Sequence, residues 1–418
     1  MIKHLLKIIY AQFRSNIWIL SELMVVFVAL WVMADYFITQ YALYHRPVGF
    51  ETDRVYNVSL TKRSEDSPKF IAYPENSEEP KQNFDRIVER IRRHPDVESV
   101  ALSMFSLPYT TSNSTNGFRK DSVELWNVRQ YQVSPDYFKV FNINTATGGS
   151  PEELARKLNE PGLIISASLA EAFFGRINVA GEELIQNEDT FKIIAVSETV
   201  RNDEYNERLP NAWFSLLEES RDNIVPESTC IQINITFRIR PNVNTVGFDE
   251  RFMKDMRHQL QLGNFSVSSI QSYNDIREKY LEKTSNSSGQ QVISSVMLFL
   301  LVNVFLAVIG SFWFRVSRRK EELGLRMAMG SSRGGLMLFT VVESLLLLLI
   351  ASLPALFICG NLVYADIVSA SSAESPLLRF VEVSVITWLL LAVIIILGVW
   401  YPAYRASKVA PSDALRAE

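Results

Sequence analysis

Metal ligation and acid–base work draw first on histidine, and His4, His45, His94 and His258 are scattered along the chain. No H-E-x-x-H spacing, which would set two imidazoles on one helical face around zinc, joins any of them. Gly330-Ser331-Ser332-Arg333-Gly334 fits the G-x-S-x-G form of a nucleophile elbow. That chemistry also needs a strand-turn-helix setting and a histidine after the serine. The last histidine is His258, so the match is read as accidental. No glycine is followed by lysine, so there is no Walker A loop to cradle nucleotide phosphates. The chain is expected to be no enzyme and to hold no metal or cofactor of its own. Cys230 and Cys359 are too few for a disulfide framework and read as packing residues, Cys230 in a strand core and Cys359 in a membrane helix. Acceptor tripeptides begin at Asn57, Asn113, Asn234, Asn264 and Asn286, without consequence in a bacterial protein, which this is expected to be.

Two carboxylates stand out by their surroundings. Glu22 and Glu343 lie inside apolar runs, where a charge at mid-depth costs about 2.5 kcal/mol or more. They read either as polar contacts between helices or subunits, or as shallow carboxylates near interfacial water. The runs themselves are Ile17 to Met33, Val292 to Phe314, Leu336 to Val363 and Val383 to Tyr401. Each reaches the roughly 17–25 residues that cross a bilayer as a helix. Pro354 is expected to kink the third.

The 418 residues average 48% hydrophobic and 21% charged with a net charge of -4, which looks like an ordinary soluble protein. Charge by segment says otherwise. Residues 1–16, 315–335 and 402–418 hold about 12 Lys and Arg against 4 Asp and Glu, which places them in the cytoplasm. Residues 35–291 hold about 29 against 37 and the loop 364–382 is acidic, which places both outside. The absence of strong net basicity argues against a nucleic-acid partner. Membrane helices are thus expected at 17–34, 292–314, 336–363 and 383–401. Residues 1–16 are expected to form an amphipathic surface helix, with Ile2, Leu5, Leu6, Ile9 and Phe13 opposite Lys3, Lys7 and Arg14.

The exported segment has similar ends. Val55 to Leu60, the helical face Phe84, Ile87, Val88 and Ile91, and Ser99 to Ser103 make one β-α-β unit. Cys230 to Arg240, the face Phe248, Phe252, Met256 and Leu260, and Phe265 to Ile270 make another. Together they predict a ferredoxin-like split β-α-β subdomain from residues 35–104 and 228–283, with an α/β subdomain inserted at 105–227. Inside the insertion, strands are expected at Leu163 to Ile165 and Phe191 to Val196, with a helix at Leu169 to Phe174. Thr284 to Gly289 reads as a polar hinge.

Residue order in the inner loop is more specific than its charge. Arg318-Arg319-Lys320-Glu321-Glu322-Leu323-Gly324-Leu325-Arg326-Met327-Ala328-Met329-Gly330 reads as a short charged helix stopped by Gly330. It resembles the loop of FtsX-like permeases of the MacB type. The run Pro402 to Arg416 resembles that family's terminal motif, and Val133 to Phe138 and Ile164 to Gly175 resemble its exported core.

The resemblance implies a permease subunit of an ABC transporter, present as a homodimer or paired with a similar permease, and working with an ABC ATPase that holds ATP and magnesium. Arg318, Arg319, Glu322, Gly324, Arg326 and Gly330 would form the helix that docks on the ATPase. Only about 16 residues precede the first apolar run, so the ATPase is expected on another chain. A periplasmic adaptor or an exported substrate is a further expected partner. The implied mechanism is mechanical: ATP binding draws the docking helices together and moves the exported domain, exporting or extracting a peptide, drug-like compound or lipoprotein. The competing reading is a signalling scaffold like FtsX that regulates an exported partner such as a cell-wall enzyme.

Overall fold

The computed structural model describes residues 9, 11, 13–205, 212–217, 224–286, 290–319, 322, 325–326, 329–365 and 376–406. In chain order these form α1 (Phe13–His45), β1 (Val55–Lys62), α2 (Glu79–Arg92), β2 (Val97–Met104), β3 (Ser114–Lys120) and β4 (Val123–Val133). There follow α3 (Tyr137–Val140), α4 (Pro151–Lys157), β5 (Leu163–Ser166), α5 (Ala167–Phe174), β6 (Glu183–Gln186), β7 (Asp189–Ser197) and β8 (Ala212–Leu216). Then come α6 (Glu227–Cys230), β9 (Asn234–Ile239), α7 (Phe248–Met256), β10 (Phe265–Ser272) and α8 (Tyr273–Asn286). The last elements are α9 (Gln290–Arg318), α10 (Arg333–Tyr364) and α11 (Pro376–Ala406). The chain divides into a sheet unit, His45–Ser287, and a helical unit, Met1–Tyr44 with Ser288–Glu418.

In the sheet unit the order β10-β1-β9-β2 is antiparallel throughout. This is the order of a split β-α-β arrangement, with α2 and α7 as the two crossovers. Phe84, Ile87, Val88 and Ile91 recur at helical spacing along α2 and are all buried, as are Phe248, Phe252 and Met256 of α7. Ile235, Phe237 and Ile239 of β9 point to the same core. Val55 and Ala101 on the opposite face join a second core with Tyr137, Phe138 and Phe141. The sheet is therefore covered on both sides, and β9 reads as almost continuously buried rather than alternating.

β2 hands the sheet on to β4 through Ser103↔Val133 and Met104↔Gln132. From there β4, β3, β6, β7, β5 and β8 pair in turn, and β8 returns to β4 in parallel. Among the described residues the insertion is thus a ring of six strands with no open edge within it, a solution that removes the hazard of unpaired backbone. Helix α5 starts at Ser166, whose hydroxyl accepts the Leu169 N–H, and stops at Gly175, whose φ of 65° a side chain would resist.

Two sequence expectations are corrected here. Cys230 lies on the helical turn α6, not in a strand: the N–H groups of Thr229 and Cys230 both bond the Pro226 carbonyl, and the strand begins at Asn234. Burial still pushes its thiol up to about 12. Thr284 to Asn286, expected as a hinge, are the last residues of α8. Tyr273, Ile276 and Tyr280 anchor that helix on the core at helical spacing, which carries its polar end into register. Residues 287–289 lie outside the described residues.

Among its described residues the helical unit contains four helices long and apolar enough to cross a membrane, Asn16–His45, Val292–Arg318, Gly334–Tyr364 and Leu377–Trp400. All but the third run past their apolar stretches by several residues at one end or both. α11 packs against both α9 and α10. Leu23, Phe27, Leu30 and Trp31 of α1 join the same core as Val308, Phe312, Leu347, Leu348, Leu391 and Ile395. α10 passes through Pro354 as one element. Of the expected surface helix only Ile9, Ala11 and Phe13 to Asn16 are described, and Ile9 is buried.

Candidate functional site

The end of α9 and the start of α10 carry a chain of charged groups. Arg315 and Arg319 stand one turn apart, and both reach Glu343 on α10, whose side chain is only 2% exposed. Arg315 donates to Glu343 Oε1 at 2.8 Å and to Asn16 Oδ1 of α1 at 2.7 Å. Arg319 donates to both Glu343 oxygens at 2.7 Å. The same guanidinium turns its other edge to Glu322, with Nε to Oε2 at 2.8 Å and Nη2 to Oε1 at 3.0 Å. Arg326 then donates to Glu322 Oε1 at 2.8 Å and lies over the Phe339 ring at 4.4 Å.

Three guanidiniums thus alternate with two carboxylates along one path. Planar five-donor guanidinium suits this, because a single Arg319 can fork onto two carboxylates. A buried Glu343 would be costly alone, and two cations facing it offset that cost. Burial works against the charge on Glu322, but Arg319 and Arg326 outweigh it and hold the carboxyl below its ordinary range. Beyond Arg326 the segment ends in a Schellman-type cap: Gly330 takes φ 96° and the Ser331 N–H bonds the Arg326 carbonyl at 3.1 Å.

Of the docking residues expected from sequence, Arg319, Glu322 and Arg326 are brought together and Gly330 closes their segment. Arg318 is exposed, with its guanidinium 4.2 Å from the Phe314 ring, and stands outside the path. Gly324 lies outside the described residues, as does the terminal motif beyond Ala406. Glu22 is separate as well, with the Ser311 hydroxyl of α9 2.6 and 2.7 Å from its two oxygens. Both intramembrane carboxylates therefore contact another helix of the same chain. Arg315 and Asn16 were not singled out, although the spacing of Arg315, Arg319, Glu322 and Arg326 sets all four on one helical face.

A second interhelical pair was also not singled out. Arg379 at the start of α11 clasps Asp35 of α1 in two-pronged fashion, at 2.8 and 2.5 Å, with Asp35 only 3% exposed. One turn away Trp31 donates to the Ser384 hydroxyl at 3.0 Å. Among the described residues no group of three His, Cys, Asp or Glu side chains could hold a metal ion.

Residues 35–254 match the MacB-like periplasmic core domain, and residues 294–411 match the FtsX-like permease C-terminal family. The macrolide export ATP-binding/permease protein MacB of Neisseria meningitidis is 23% identical over 74% of this chain and 46% of its own length. That of Bdellovibrio bacteriovorus is 23% identical over 70% and 44%. The chain thus spans less than half of these relatives. The periplasmic region of MacB from Actinobacillus actinomycetemcomitans aligns at 13% identity and a TM-score of 0.34, covering 59% of this chain and all of that one. The extracellular domain of the transporter YknZ from Gram-positive bacteria aligns at 12% and 0.30, covering 51% of this chain and all of that one. With one family covering more than half of the chain and the second most of the remainder, this protein belongs to the FtsX-like permeases with a MacB-like periplasmic core domain and is a permease component of an ABC transporter, a membrane protein with an extracytoplasmic domain.

Proposed function

We propose that this chain couples ATP hydrolysis by a partner ATPase to movement of its extracytoplasmic unit, and that this movement exports or extracts a peptide, drug-like compound or lipoprotein. The observation that carries the reading is the path from Arg326 through Glu322, Arg319, Glu343 and Arg315 to Asn16. A partner that displaces the segment Glu322–Arg326 pulls at once on α9, α10 and α1, because each contributes one end of a charge-assisted hydrogen bond. Apolar contacts would let such a segment slide; bonds of fixed direction do not. The ATPase sits on the surface formed by Glu322, Leu325, Arg326 and Gly330, and this basic end of the helices is the cytoplasmic one, as the segment charges require. Two copies of the permease, or one and a similar partner, serve two ATPase subunits. The macrolide-exporting relatives favour cargo of a drug-like class.

The test is mild detergent purification of the full chain with whatever stays bound, followed by an ATPase assay. An associated ATP-hydrolysing subunit is expected. Recovery of the permease with no ATPase under several mild conditions would overturn the reading.

A further inference from the structure

The sheet unit contains a second buried charge cluster, placed at both points where the chain enters and leaves that unit. Between β7 and β8 the segment Arg201-Asn202-Asp203-Glu204 is only 5–8% exposed. Charged residues are almost never that buried unless they are paired. On one side Arg201 donates its backbone N–H to the Val48 carbonyl at 2.9 Å and Nη1 to the Arg46 carbonyl at 3.1 Å. Residues 46 and 48 directly follow α1. On the other side Glu204 Oε1 accepts from Arg277 Nε at 2.6 Å, and Asp203 Oδ2 accepts from Tyr280 at 2.8 Å. Arg277 and Tyr280 stand one turn apart on α8, and only residues 287–289 separate α8 from α9 in sequence.

Internal bonds stiffen this strap. Arg201 Nη2 donates to the Glu204 carbonyl at 2.5 Å, and the Tyr205 N–H donates to Asp203 Oδ1 at 2.9 Å. Tyr109 ties it to the connection between β2 and β3, its hydroxyl donating to Glu204 Oε1 at 2.9 Å and its N–H to the Asn202 carbonyl at 3.0 Å. A buried network whose only task is to satisfy itself could be made from any neighbouring elements. This one joins the two chain exits to each other and to the six-stranded ring in four consecutive residues.

We infer that Arg201, Asp203 and Glu204 are positioning residues that yoke the chain following α1 to α8, so that displacement arriving through either exit moves both together with the six-stranded ring. This rests on the proposed coupling to an ATPase. A packing contact would yield under such a load; the pairs of Glu204 with Arg277 and of Asp203 with Tyr280 fix direction as well as distance.

The experiment is hydrogen–deuterium exchange on the full-length permease assembled with its ATPase, with and without magnesium and a non-hydrolysable ATP analogue. Wild type is expected to show nucleotide-dependent protection changes at residues 46–48, in α8 and in β7 and β8. In Glu204→Arg and in Arg277→Glu the change in β7 and β8 falls at least about fivefold, the lower end of ordinary coupling between sites. ATP hydrolysis persists, and the charge-swapped double variant regains the response, which a merely structural loss would not. Arg277→Gln and Tyr280→Phe, milder changes at the rim, supply the same readout should a charge reversal unfold the unit, and unfolding of the sheet unit is measured alongside. A wild-type response in β7 and β8 that survives in every variant overturns the yoke and leaves the coupling reading standing. No nucleotide response anywhere in the wild-type sheet unit overturns both.

Discussion

Both units bury a cluster of arginines and acidic residues, and the two clusters are built differently. The one around Glu343 is an open path: guanidiniums and carboxylates alternate, and its end at Arg326 lies on a half-buried segment next to exposed Leu325. The one around Glu204 is closed off from solvent: tyrosine hydroxyls and backbone carbonyls supply its bonds and every strap residue is buried, with Glu204 Oε2 and Asn202 Oδ1 left without a hydrogen-bond partner among the described residues. An open path can hand a displacement to or from a partner; a closed one keeps the geometry of elements that must move as a body. The first should therefore fail by charge and the second by geometry.

The largest effect is expected at Glu343. Glu343→Gln leaves Arg315 and Arg319 facing a neutral amide in a buried site, and removing one partner of such a set costs about 3–5 kcal/mol. Thermal unfolding of the detergent-solubilised chain reads this as a large drop for the helical unit. Asp35→Asn should cost less, about 1.5–3 kcal/mol, since it weakens a pair with the single Arg379 rather than a set that faces two arginines. An equal or larger loss at Asp35 would reverse the ranking of the two membrane clusters.

Tyr280→Phe removes one hydroxyl from the closed cluster and should destabilise the sheet unit by about 0.5–1.5 kcal/mol. Its hydroxyl, pushed up to about 12 mainly by burial and by the nearby Asp203 charge, stays a donor far above neutrality. Because the folded value is raised, the associated stability is complete below the ordinary tyrosine range and is lost as pH rises toward about 12. Chemical denaturation at rising alkaline pH should show that loss in wild type and less of it in Tyr280→Phe. The smallest effect concerns Glu322, whose carboxyl is held low. Its contribution is complete above the ordinary carboxylate range and is lost only as pH falls through the lowered value. Stability of the helical unit against denaturant should therefore be flat in this respect from neutrality through mild acid, and Glu322→Gln should remove its share of the loss at lower pH.

The four membrane helices were plain in the sequence, because an apolar run long enough to cross a bilayer is rarely stable anywhere but inside one. Glu22 and Glu343 stood out for the same reason. Their partners did not: Arg315 read as part of an inside-positive loop and Arg319 as a docking residue, and only the side-chain geometry turns both back to Glu343. Asp35 and Arg379 were missed because the helices continue past the apolar runs that defined them. In the sheet unit the two β-α-β ends were legible from periodicity. The six-stranded ring was not, since pairings such as Gln130↔Trp213 join residues distant in sequence and leave no local pattern. The strap Arg201 to Glu204 looks like an ordinary polar loop, and nothing in its composition reports burial.

One measurement bears most directly on the proposed coupling of this permease to an ATPase. A photo-crosslinking residue at Leu325, which is 51% exposed beside Arg326, should capture the nucleotide-binding subunit in the assembled complex, with a yield that changes when ATP binds. Absence of that crosslink in a complex that hydrolyses ATP would contradict docking at Glu322–Arg326 and the relay built upon it.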